Sequence, residues 1–149
     1  MLFSIERRQK LLDDDVDEQE AAAAREADAA AAKQVHQLVL EAVTAAKEAQ
    51  KAKDEAQTAL DAMTHTKDVD ERKAQIDKIQ GEEGKATEAA QKANDATEEA
   101  ITAARSIQGQ TKAFQARTKT DLAGEQARKA TQNAKETKEI LKLFYFIYY

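Results

Sequence analysis

The sequence predicts an all-α protein: long alanine-rich coiled-coil helices, folded as an antiparallel helical hairpin within a homo-oligomer. Three observations lead there. Alanine fills 32 of the 149 positions, with no proline and only four glycines, so little turn chemistry is present and helix formers dominate. Small and apolar residues recur every seven positions with a second set three after the first, the a/d pattern of a coiled coil. Charged residues make up 34% of the chain, which leaves too few large apolar side chains for a broad core. A single continuous helical rod is the alternative. A bundle of three or more helices is the third arrangement that breaks in the pattern permit.

Residues 1–12 read as a short amphipathic segment. Leu2, Ile5 and Leu12 share a helical face with Phe3 beside them, while Arg7, Arg8 and Lys10 lie off it. Residues 13–80 then read as one long helix. Its opening stretch, 13–28, holds eight acids and one arginine, and acids in the first turns complement the helix dipole.

The clearest seam begins at Val35. Val35, Ala42, Ala49, Ala56 and Met63 are seven apart, and Leu38, Ala45, Ala52 and Ala59 fall three after the first four. A second series, on a helix expected over 85–139, runs through Ala86, Ala93, Ala100, Ile107 and Phe114, with Ala89, Ala96 and Ala103 between. A third runs through Ala116, Ala123 and Ala130, with Ala127, Ala134 and Leu141 between. Alanine seams let helices approach closely and suit association between copies.

The phase is disturbed at 64–69 and at 109–113. At the first, Asp68 followed by Glu71 has the form of a capping box. The turn is expected elsewhere, at GEEG, residues 81–84, because each glycine inside a helix costs about 1 kcal/mol. Against this, the phase carries from Ile76 and Ile79 through Glu83 to Ala86 without a slip. A turn there sets the acidic stretch 13–28 against the basic stretch 128–142, and opposite charges select that register.

The last ten residues, 140–149, stand apart. Leu141, Leu143, Phe144, Tyr145, Phe146, Ile147, Tyr148 and Tyr149 form an aromatic anchor that holds all three tyrosines. In the hairpin register no side chains of matching size lie opposite. A patch of this kind marks an interface, a membrane contact or a fold-back onto the amino-terminal apolar residues.

No catalytic constellation is visible. His36 and His65 each lack a second ligand, and the aspartates at 13–15 lack the spacing and glycine of a calcium loop. With no cysteine, thiolate and disulfide chemistry is excluded. The net charge of −5 opposes a diffuse nucleic-acid footprint. No cofactor, metal or enzymatic activity is expected. The start has no secretory leader, and no apolar run reaches the roughly 20 residues of a membrane span. That points to the cytoplasm or to incorporation in a virion or other assembly.

The segments AKEAQKAKDEAQTALDA and ATEAAQKANDATEEA resemble, in composition alone, the helices of late-embryogenesis proteins and the rods of virion and secretion-apparatus proteins. The seven-residue step departs from the eleven-residue period of the first group. The expected function is structural and non-enzymatic: self-assembly through the alanine seams and the aromatic anchor, within a virion, fibre or tube. The partners are copies of the chain or other subunits. The alternative is a coiled-coil tether on a membrane surface, held by the amino-terminal segment and the aromatic tail. A disordered stress protectant is a weaker third reading, because disorder needs no phase.

Overall fold

In a computed structural model the chain is all-helical, as the sequence predicts. The structure describes the backbone from Leu2 to Tyr149, with the side chains of Arg7, Arg8 and residues 16–149. The apolar face of segment 1–12 and the aspartates at 13–15 lie outside the described side chains. Three helices follow one another: α1 (Leu2–Thr64), α2 (Val69–Arg105) and α3 (Gln110–Tyr148).

The chain reverses twice, so neighbouring helices are antiparallel and α1 and α3 run the same way. Each helix packs on both others. The levels are fixed by three core layers. At one end Val35, Leu38, Val39 and Ala42 meet Ala96, Ala100, Ala103, Ile107, Ala116 and Ala123. In the middle the layer is alanine throughout, from Ala45 to Ala52 on α1, Ala86 to Ala93 on α2 and Ala127 to Ala134 on α3. At the other end Ala56, Ala59, Leu60 and Met63 meet Ile76, Ile79, Ile140 and Phe144.

The expected turn at 81–84 is not there. Helix α2 passes through GEEG without interruption. Gly81 and Gly84 are exposed, while Ile76, Ile79, Glu82 and Ala86 face the core. Burying the two isoleucines contributes about 1.5–3 kcal/mol each, which outweighs about 1 kcal/mol for each glycine.

The first reversal falls at the 64–69 break. The Asp68 carboxylate accepts the backbone N–H of Asp70 at 2.9 Å and caps α2. Glu71 closes the cap indirectly: it accepts the Thr66 hydroxyl, whose oxygen accepts the N–H of Asp68. The Arg72 guanidinium donates to the Thr66 carbonyl at 3.2 and 3.3 Å. The second reversal, Ser106–Gly109, overlaps the expected 109–113 break only at Gly109 and lies mostly before it. The N–H groups of Ser106 and Ile107 return to the carbonyls of Ala103 and Ala104. Gly109 starts α3 with no side-chain cap of its own.

Two reversals also change what faces what. The acidic stretch 13–28 does not meet the basic stretch 128–142. Asp28 is level with Gly109, and Ile140 is level with Ala56 on α1.

Candidate functional site

Most of the predicted seam residues are buried: Val35 to Met63 on α1, Ala86 to Ala103 on α2, Ile107 in the turn after it and Ala116 to Ala134 on α3, at the spacing given above, with Leu141 half-buried. They are buried against helices of the same chain. The seams are thus filled within one molecule and are not open surfaces. Phe114, which the phase placed in the second series, is instead 70% exposed on α3. It lies beyond the second reversal, on a new helix with a new phase.

The aromatic anchor divides in two. Phe144 is 1% exposed and packs among Leu60, Met63, Ile76 and Ile79, with Leu141 and Tyr148 beside it. The tail therefore has an intrachain partner, which the hairpin register had hidden. Its rings stack on one another: Phe144 lies 5.1 Å from Tyr148 and 5.7 Å from Tyr145, the latter edge to face. The Arg72 guanidinium sits 5.0 Å over the Tyr148 ring. Gln80 donates to the Tyr145 hydroxyl at 2.7 Å. The remaining side chains turn outward. Phe146 and Tyr149 are each 86% exposed, with Leu143 and Ile147 about half exposed beside them.

At the opposite end, α1 is much longer than its partners. It has 63 residues against 37 in α2 and 39 in α3. Toward its amino end from Asp28, residues 16–27 are exposed except for half-buried Ala24. Asp17, Glu18 and Glu20 lie on this stretch, followed by the alanine run Ala21–Ala24.

Charge is divided among the helices. Helix α3 carries eight basic and four acidic residues, whereas α1 carries fourteen acidic and eight basic. One α3 acid is satisfied internally: Glu136 accepts from Lys53 of α1 at 2.6 Å. That bond, with a second from Gln132, holds the Glu136 carboxyl below its ordinary range and raises Lys53 above its own. Arg128, Lys135 and Lys142, seven residues apart on the outer face of α3, are exposed. Among the described residues no carboxylate pairs with them.

Sequence reasoning missed Asp28. Its two carboxylate oxygens accept the backbone N–H groups of Gln108 and Gly109, each at 2.9 Å. These bonds, and Lys112 nearby, hold its carboxyl below the ordinary range despite burial. The signal was present: Asp28 is seven residues before Val35, a carboxylate on the seam phase.

Several depressions of the surface are grooves between neighbouring helices. One between α1 and α2 is lined by Glu48, Lys51, Glu55, Glu82, Lys85 and Glu88. Among the described residues no three metal-ligating side chains gather. His36 and His65 are exposed and far apart in the fold. Among the described residues no helix is long and apolar enough to cross a membrane. No family model matches the chain, and comparison with curated proteins and with solved structures finds no match.

Proposed function

We propose that this chain is a non-enzymatic structural component that self-assembles, or joins other subunits, in a fibre, tube, virion or similar large assembly. The observation that carries this reading is the outward half of the aromatic tail. Leu143, Phe146, Ile147 and Tyr149 form an exposed apolar patch at one end of a narrow bundle. Patches of this kind serve contacts between molecules. The alanine seams have a different part in this reading from the one the sequence suggested. They stiffen the individual molecule, and the aromatic end makes the contact.

The test is sedimentation velocity on the unaltered chain and on Leu143→Ser/Phe146→Ser/Tyr149→Ser, with circular dichroism on both. Removing residues 140–149 is a poorer variant, because it also removes core residues Ile140 and Phe144. Assembly of the unaltered chain, lost in a variant of unchanged helicity, supports the reading. An unaltered chain that stays monomeric but floats with anionic vesicles overturns it in favour of a membrane-surface tether.

A further inference from the structure

Among the described residues, two surfaces at opposite ends of the molecule lack partners, and their chemistries are complementary. The amino-terminal stretch of α1 projects past the bundle with Asp17, Glu18 and Glu20 exposed. The carboxy-terminal half of α3 presents Arg128, Lys135 and Lys142 on its outer face. We propose that the projecting stretch of α1 docks on the outer face of α3 in a second copy, joining molecules head to tail. This deepens the assembly proposed above and rests on it.

The order of residues sets the direction. On α1, the acids Asp17, Glu18 and Glu20 come directly before the flat run Ala21–Ala24. Along α3, the basic residues come first and the aromatic end follows. Only a parallel alignment pairs both at once, carboxylates with ammonium groups and alanines with Phe146 and its neighbours. Small side chains opposite large rings permit close approach.

Length agrees with this. The residues of α1 before Asp28 span about 40 Å, and the stretch from Arg128 to Tyr149 spans about 32 Å. With the two side by side and parallel, the bundle of the next copy starts where the previous one ends. The contact joins two different patches, so it does not close on itself. Repeating it builds an open chain of molecules.

The test uses the full chain in two charge-reversed forms, Asp17→Lys/Glu20→Lys and Lys135→Glu/Lys142→Glu. All four positions are exposed, so helicity should not change. Each variant alone should raise the concentration needed for assembly at least about tenfold. An equal mixture should restore assembly, since each supplies the surface that the other now needs. The absence of cysteine permits a second measurement. The double variant Ala22→Cys/Leu143→Cys, oxidised, should give a ladder of disulfide-linked oligomers. If the charge variants assemble like the unaltered chain, or the mixture stays dissociated, the docking is wrong while the aromatic contact still stands. If the unaltered chain never assembles, both fall.

Discussion

The carboxylate of Asp28 in α1 accepts the backbone N–H groups of Gln108 and Gly109, 80 and 81 residues further along the chain, each at 2.9 Å. The two amides belong to the N-cap residue of α3 and to the residue before it, so the bonds tie the turn to α1 and leave the first amides of α3 itself without a side-chain cap. Gly109 has no side chain with which to cap, and a Cβ there would sit 3.1 Å from the Asp28 oxygen. The second reversal is thus held from outside, by the first helix.

Removing that carboxylate should loosen the reversal. Asp28→Ala is expected to lower the melting temperature and to speed amide hydrogen exchange at Gln108 and Gly109 above the rest of the bundle. The pH dependence has a definite sign. The Asp28 carboxyl lies below its ordinary range in the fold. Its contribution is complete above the unfolded value and is lost as pH falls through the depressed one. Thermal melts from pH 6 down to about pH 2 should be steeper for the unaltered chain than for Asp28→Ala.

Gly81 and Gly84 lie on the solvent side of α2, and an added Cβ meets nothing within 4 Å at either. Neither has positive φ. Gly81→Ala and Gly84→Ala should each stabilise the fold by about 0.5–1 kcal/mol. Urea denaturation reads this directly. A loss of stability would restore the turn at GEEG.

Phe144 and Phe146 are two residues apart and opposite in role. Phe144→Ala opens a cavity among Leu60, Met63, Ile76 and Ile79 and should cost about 3–5 kcal/mol. Phe146→Ala should change stability by no more than about 0.5 kcal/mol while weakening assembly. Equilibrium unfolding and sedimentation on the same pair of variants separate the two effects.

The Lys53–Glu136 pair joins α1 to α3 at 2.6 Å with both side chains about one-third exposed. Partial exposure limits its worth to about 0.5 kcal/mol, to be measured as the coupling between Lys53→Met and Glu136→Gln. Glu136 is depressed, so the coupling is lost as pH falls through the carboxylate range. Lys53 is raised, so the coupling is also lost as pH rises through the raised lysine value. Between those limits it should be flat, and salt should reduce it.

The helical class and the buried seams were legible because a seven-residue alternation of alanine with charge has few other physical meanings. Val35, Ala49, Ala93 and Ala100 could be placed in the core from spacing alone. The number of helices was harder. At 64–69 the phase step and the Asp68 cap marked a real turn, yet GEEG looked stronger because glycine penalties are local and visible. The burial that overrides them, Ile79 against Met63 and Phe144, is between helices and cannot be weighed before the fold is known. The same error hid the partner of the aromatic tail, since a turn at 81–84 puts acids and alanines opposite Phe144. The role of Asp28 was invisible because the amides that it accepts belong to a turn whose place was not yet fixed.

The middle core layer is alanine on all three helices. Slide one helix by seven residues against the others and alanine meets alanine again, almost unchanged. The apolar packing at the centre therefore carries almost no information about alignment, which is left there to polar ties such as Asn94 to Thr131. Among apolar and buried contacts the information sits at the two ends, in the fit of Phe144 beside Met63 and Ile79 and in the grip of Asp28 on Gln108 and Gly109. Whole heptads added to or removed from the middle of all three helices together would leave both ends able to close. The length of the molecule can change in evolution or by design without disturbing the features that align it.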